Sequence, residues 1–207
     1  MTGAAIVTNE REIDQQLVQR VQRGEKIAFD LLVSKYQRRL FRLALRLVGD
    51  PSEAEDVVQE TFIKAYKALP QFRGDSAFYT WLYRIGINTA RNFLENQGRR
   101  IPVLKEAGGA EQPEAGSEHA GSGDGDTPEA ALLARQIAET INLAMEELPT
   151  DLRLALSLRE FDGLSYDEIA MAMACPVGTV RSRIFRAREA VAEKLRPLLD
   201  SGIDKHR

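Results

Sequence analysis

Apolar residues recur at three- and four-residue intervals along most of this chain, and no stretch shows the strict alternation of a half-buried strand. Leu17, Val18, Val21, Phe29, Leu32, Tyr36, Leu40, Leu43 and Leu47 fall on helical spacing and predict two helices of a bundle. Gly49-Asp50-Pro51 then breaks the chain, and the S-x-x-E spacing of Ser52 and Glu55 predicts a capped third helix reaching about Leu69. A loop is expected over Pro70 to Ser76, followed by a fourth helix from Ala77 to about Asn96 that stops at a left-handed Gly98. The pattern resumes with Leu132, Leu133, Ile137, Ile141 and Met145. Pro149 separates this stretch from a helix carrying Leu152, Leu156 and Leu158. With no strand pattern and no internal repeat, the fold is expected to be all-α.

The gap in the pattern divides the chain. Residues 99–131 are rich in Gly, Ala, Glu, Ser and Asp and have no sustained period, so this stretch cannot bury enough surface to offset the entropy of ordering. It reads as a flexible acidic linker between two helical domains, at 12–98 and 132–199. The net charge of the 207 residues is −3, yet residues 101–131 alone hold one lysine against seven carboxylates, so the acidic balance belongs mainly to the linker.

The most specific signal lies between Leu164 and Arg188. Ser165 and Glu168 form a second S-x-x-E pair, which starts a helix at Tyr166. Cys175-Pro176-Val177-Gly178 interrupts it, and a new helix follows from about Gly178 or Thr179. In that second helix Val180, Ile184, Ala187 and Val191 make one stripe, while Thr179, Ser182, Arg183, Phe185 and Arg186 project from the other side and Arg181 and Arg188 flank it. Arginine forks suit guanine edges and phosphates, hydroxyls reach phosphate or base, and a projecting phenylalanine packs on thymine methyls. The segment 176–197 carries six basic residues against two acidic ones, whereas 146–168 carries seven acidic against two basic, so phosphate would dock at the arginine-rich end. Cap, break and second helix in register predict a helix-turn-helix that reads the major groove, rather than a merely solvated amphipathic helix. Cys175 reads as a small packing residue.

Six of the fourteen aromatic residues, Phe72, Phe78, Tyr79, Trp81, Tyr83 and Phe93, crowd into one short stretch. Leu82, Ile85, Thr89 and Phe93 make the expected core stripe, leaving Trp81, Tyr83, Arg84, Asn88, Arg91 and Asn92 on other faces. Two readings stand: aromatics that fill a small core, or a platform on which unpaired bases stack, each worth about 1–3 kcal/mol. Asp50, Glu53, Glu55, Asp56, Gln59 and Glu60 gather on the third helix. Carboxylates in a first turn suit the helix dipole, and such a face is also suited to meet another protein rather than phosphate.

Several classes are excluded. No apolar run approaches the roughly 20 residues needed to cross a bilayer, and the first residues lack the basic-then-apolar order of a signal peptide, so the protein is expected to be cytoplasmic and not inserted in a membrane. A single cysteine rules out an intrachain disulfide. With His119 in the linker, His206 in the tail, and no glycine-rich phosphate loop, metal-ligand cluster or nucleophile-base pair, no enzyme activity, metal or cofactor is expected.

Three motifs, DVVQETFIKAYKAL from Asp56, FRGDSAFYTWLYRIGINTARNFL from Phe72, and LREFDGLSYDEIA followed by CPVGTVRSRIFRARE, resemble bacterial sigma factors of the extracytoplasmic-function class, close to the sigma-E type. The resemblance covers both domains and departs in the long Gly/Glu-rich linker. It implies that 12–98 is sigma region 2, which binds core RNA polymerase and recognises and melts the −10 element, and that 132–199 is region 4, which reads the −35 element. By the same resemblance Asp56, Gln59, Glu60 and Phe62 would contact the polymerase clamp. Phe72, Arg73, Trp81, Tyr83, Arg84 and Asn88 would bind −10 single-stranded DNA, with Phe72 and Asn88 at a pocket for a base turned out of the stack. Thr179, Arg181, Ser182, Arg183, Phe185 and Arg186 would bind the −35 duplex. The implied partners are core RNA polymerase, promoter DNA and an anti-sigma factor, often membrane-tethered and released by envelope stress. The rival reading is a dimeric helix-turn-helix regulator, which would bind a palindrome without polymerase.

Overall fold

The structure, a computed structural model, describes residues 2–100 and 128–203, with side chains over 10–96 and 132–198. Every regular element in these residues is helical: α1 (Thr2–Gln22), α2 (Lys26–Val48), α3 (Pro51–Ala68), a 3₁₀ turn (Leu69–Gln71), α4 (Phe78–Arg100), α5 (Pro128–Glu147), α6 (Thr150–Glu160), α7 (Tyr166–Met173) and α8 (Val177–Ile203). The all-α expectation holds. Most of the expected linker, with His119, lies outside the described residues, as does the end of the tail with His206.

Two compact units form. The first contains α1 to α4 together with the segment Leu158–Val180; the second contains α5, α6 up to Ser157, and α8 from Arg181 onward.

In the first unit α2 packs against α1, α3 and α4. Leu32, Tyr36, Leu40, Leu43 and Leu47 of α2, Val57 and Phe62 of α3, and Phe78, Leu82 and Ile87 of α4 are buried, each large apolar side chain contributing about 1.5–3 kcal/mol. The α2 stripe is the one the spacing predicts. Two boundaries differ. Asp50, not Ser52, caps α3: its carboxylate accepts the Glu53 backbone N–H at 2.9 Å while Pro51 occupies the first helical turn, where its missing N–H costs nothing. The other correction concerns Gly98, which does not end α4; the helix continues to Arg100. Gly49, at φ 85°, does close α2, its N–H reaching the Leu45 carbonyl at 2.9 Å.

Gly86 marks where α4 approaches α2 most closely: a Cβ there would lie 2.8 Å from Leu40 Cδ1. Between α1 and α2 a buried polar cluster forms. Asp14, only 2% exposed, accepts hydrogen bonds from the Tyr36 hydroxyl and, at 2.6 Å, from Lys35 Nζ. Burial, then Asp14, holds the Tyr36 phenol well above its ordinary range.

Also in the first unit, Ser165 caps α7 as a full capping box. The Glu168 N–H reaches Ser165 Oγ at 3.3 Å and the Ser165 N–H reaches Glu168 Oε2 at 2.8 Å. The start at Tyr166 is as predicted. The turn that follows is made not by a glycine but by Ala174 in the left-handed conformation, φ 52°, and α8 begins at Val177, slightly before the expected position.

In the second unit α5 and α8 are tied by Lys194 and Glu147 at 2.6 Å, and α6 and α8 by the ion pair of Arg183 with Asp151.

Candidate nucleic-acid interface

Three surfaces collect the residues singled out by the sequence. On α3, Asp56, Gln59 and Glu60 are exposed, Glu60 pairing with Lys64 at 2.8 Å. Phe62 is buried and meets Phe29 edge-on at 6.3 Å, so it supports the helix from beneath rather than presenting a contact. Gln59 joins a surface cavity of about 480 Å³ with Glu55 and Val58 of α3 and Gln37, Arg38, Phe41 and Arg42 of α2. The sequence reading missed the α2 side of this cavity. Its signal was there: Phe41 interrupts a run of arginines and lies off the leucine stripe, an apolar residue on the wrong face.

The second surface surrounds the loop between α3 and α4. Gln22 of α1 donates from Nε2 to the carbonyls of Leu69 at 3.0 Å and Phe72 at 2.9 Å, fixing the loop's course. The Phe72 ring lies 4.9 Å from Trp81 and 6.3 Å from Phe78, and Phe78 lies 5.8 Å from Trp81, an aromatic triad of which Phe78 is the buried member. A cavity of about 410 Å³ opens beside it, lined by Gln71, Phe72, Arg73, Asp75, Ser76, Thr80, Trp81, Arg84 and Met171. Aromatic faces, two arginines, a carboxylate and hydroxyls around one cavity suit a flat, polar-edged ligand such as a base. The Thr80 hydroxyl is buried and has no hydrogen-bond partner among the described residues.

Of the six candidates for the melted strand, Phe72, Arg73, Trp81 and Arg84 meet at this cavity. Asn88 is exposed on α4 but does not line it. Tyr83 is buried, and its hydroxyl donates to Asp162 at 3.1 Å, so it faces away from the cavity and belongs to the packing. Of the aromatic cluster, Phe78 and Tyr83 fill the core, while Phe72 and Trp81 border the cavity. Asp75, Ser76 and Thr80 were missed because short polar residues in a loop and a first helical turn look like ordinary caps.

The third surface is α8. Val180, Ile184 and Ala187 are buried as predicted, Val191 is half-buried, and Arg181, Ser182, Phe185 and Arg186 are exposed. Phe185 leaves 63% of its surface in solvent on this face. Thr179 and Arg183 are half-buried. The Arg183 guanidinium is engaged by Asp151.

Two carboxylates, one in α7 and one just before it, have shifted acidity. Burial disfavours the Glu168 carboxylate, but hydrogen bonds from the Tyr79 hydroxyl and from the amide and hydroxyl of Ser165, with the Arg11 charge, outweigh it and hold Glu168 below its ordinary range. For Asp162 burial wins over Arg46 and the Tyr83 hydroxyl, and its pKa is raised. Among the described residues no cluster of His, Cys, Asp or Glu could hold a metal, and no helix is long and apolar enough to cross a membrane.

A protein whose described elements are all helices, with a capped helix-turn-helix and an aromatic, arginine-lined cavity, falls among the DNA-binding proteins of transcription. Its family is fixed by likeness to known proteins. Residues 32–100 match the family model described as Sigma-70 region 2, and residues 138–191 the one described as Sigma-70, region 4. The RNA polymerase sigma-H factor of Pseudomonas aeruginosa is 58% identical over 189 residues, 91% of this chain and 97% of that protein. The ECF RNA polymerase sigma-E factor of Escherichia coli K12 is 53% identical over 192 residues, 92% and 98% of the two chains. Among solved structures, the sigma factor RpoE of Bartonella quintana in complex with the anti-sigma factor NepR matches with a TM-score of 0.61 at 25% identity, over 81% of this chain and 96% of that one.

The chain belongs to the extracytoplasmic-function sigma factors, initiation factors of transcription and not enzymes. The match at both ends sets aside the dimeric regulator.

Proposed function

We propose that this alternative sigma factor binds core RNA polymerase in the cytoplasm and divides promoter recognition between two helical domains, residues 12–98 for the melted −10 strand and 132–199 for the −35 duplex. An anti-sigma factor, membrane-tethered and released by envelope stress, holds it inactive. The observation that carries the reading is the coexistence in one chain of two unlike DNA-facing surfaces. The cavity of Phe72, Arg73, Trp81 and Arg84 suits an unpaired base, stacked and held by its edge. The α8 face of Arg181, Ser182, Phe185 and Arg186 suits paired DNA in the major groove.

Asp56, Gln59 and Glu60 with the neighbouring α2 and α3 cavity offer the polymerase an exposed, mixed-charge surface, while Phe62 stabilises α3 from below. Thr179 sits at the start of α8, where a hydroxyl reaches phosphate, and Arg183 positions α8 through Asp151. Asn88, exposed on α4 beyond Arg84, extends the strand-binding face. Likeness to a relative solved with an anti-sigma factor supports the inhibited state.

In vitro transcription with purified core polymerase and mapped start sites tests the proposal. Start sites chosen only when this chain is added are the expected result; polymerase-independent binding to a palindrome, with no effect on initiation, would overturn it.

A further inference from the structure

The loop that carries Phe72 is held from outside by one side chain. Leu69 is fully buried, and the 3₁₀ turn it opens is closed by the Phe72 N–H on the Leu69 carbonyl at 3.0 Å. Gln22, the last residue of α1, donates from Nε2 to that same carbonyl at 3.0 Å and to the Phe72 carbonyl at 2.9 Å. Both partners are acceptors, so only the amide nitrogen can face them, and its two hydrogens suffice for the pair. Past Phe72 the chain has no such support. Among the described residues no backbone–backbone hydrogen bond holds Arg73 to Ser76, and the next runs from the Trp81 N–H to the Ala77 carbonyl at 3.2 Å, where α4 begins. Gln22 therefore ties Leu69, a point set by the core, to the residue from which the unsupported stretch departs.

Gln22 is not part of the cavity wall, whereas Phe72 and Arg73 are. With the Phe72 carbonyl fixed, the Phe72 ring is kept at 4.9 Å from Trp81 and Arg73 follows beside it. Gln22 is itself exposed, off the side of α1 on which Asp14 and Val18 are buried, so its replacement leaves the core intact.

We propose that Gln22 is a positioning residue of the strand site: through one amide, α1 sets Phe72 and Arg73 so that the cavity has its binding shape before a base arrives. The proposal rests on the reading of the cavity as the strand site. A contact residue already held in place gives up less freedom when its ligand docks, and a hydrogen bond of ordinary net strength accounts for about two- to ten-fold in affinity.

The test uses the full chain with three substitutions. Gln22→Met keeps length and neutrality but cannot donate, Gln22→Glu keeps the shape but sets carboxylate oxygens against the two carbonyls, and Gln22→Lys restores a donor with one bond more of reach. Trp81 is the only tryptophan, so acrylamide quenching of the free chain reports how well Phe72 covers it. Acrylamide is uncharged, which makes this readout blind to the charges of Glu and Lys. Strand binding is read by anisotropy of a labelled pool of random single-stranded hexadeoxynucleotides on core RNA polymerase saturated with each form, above that of core polymerase alone. Circular dichroism confirms that each form is folded. Gln22→Met and Gln22→Glu should raise quenching and weaken strand binding about two- to ten-fold. Gln22→Lys should return quenching to that of the unaltered chain, and affinity for core polymerase should be the same in all forms. Gln22→Met matching the unaltered chain in both readouts would overturn the proposal, because the residue would then only fill space; Gln22→Lys no better than Gln22→Met would overturn it equally. Weakened binding without altered quenching would also overturn it, since Gln22 would then act without Phe72. Quenching that follows the stated order with strand binding unchanged keeps Gln22 as the residue that places Phe72 and shows the strand site to be misassigned.

Discussion

Removing the Asp14 carboxylate should unseat α1 and be felt at the loop between α3 and α4. In Asp14→Ala the Tyr36 hydroxyl, 1% exposed as a residue, loses its acceptor without gaining water, a cost of about 1–3 kcal/mol. Lys35 keeps about a quarter of its side-chain surface in solvent and can rehydrate, so its share is no more than about 1 kcal/mol. The total is about 1–4 kcal/mol, a large part of a small domain's stability. Tyr36→Phe leaves the carboxylate buried with Lys35 alone and should cost a similar amount. In the double variant neither orphan remains, so its cost should fall short of the sum of the single changes by about 1–2 kcal/mol. Urea unfolding followed by Trp81 fluorescence measures all three. Because Gln22, on the same helix, bridges the Leu69 and Phe72 carbonyls, Asp14→Ala should also weaken single-strand binding while sparing duplex binding by α8. Strict additivity of the two changes, or equal losses on both kinds of DNA, would refute the reasoning.

Arg186→Ala should lower discrimination for the −35 sequence by about 1–3 kcal/mol, whereas Arg183→Ala, which breaks the pair with Asp151, should lower thermal stability and weaken all sequences alike; footprinting on matched and mismatched sites separates the two. Phe62→Ala should destabilise the protein by about 3–5 kcal/mol, while Gln59→Ala should leave the melting temperature unchanged and reduce affinity for core polymerase in pull-down titrations. Acid should loosen α7. Glu168 has its folded pKa depressed by Tyr79, Ser165 and Arg11 against burial, so its contribution is full above the ordinary glutamate range and disappears as pH falls through the folded value. Asp162 runs the other way, its raised pKa making its contribution greatest below the ordinary aspartate range and lost as pH rises through the folded value. Trp81 emission across an acid titration should therefore shift in the native chain, with the shift reduced in E168Q and steepened in D162N.

What the sequence made legible was local. Ser165 and Glu168 announce the α7 cap because both halves of the box lie three residues apart, and Val180, Ile184 and Ala187 announce the buried side of α8 because one helix carries them all. Even at this range a neighbour can win, as Asp50 and Pro51 do over Ser52. Longer-range partners left no trace. Nothing in the spacing says that Glu168 also meets Tyr79 and Arg11, 89 and 157 positions away, or that Asp162 claims the Tyr83 hydroxyl. Tyr83 and Phe62 therefore looked as available as Trp81 and Gln59. An aromatic side chain serves a core or a ligand equally well, and only three-dimensional packing decides.

The close approach at Gly86 acts as an indexing notch. With the Leu40 methyl filling the space where a side chain would begin, α4 can neither slide along α2 nor turn about its own axis without driving Ile85 or Ile87 into that methyl. The helix is thereby keyed to a single rotational setting, and Trp81 and Arg84 inherit their bearing from a residue that lines no part of the cavity.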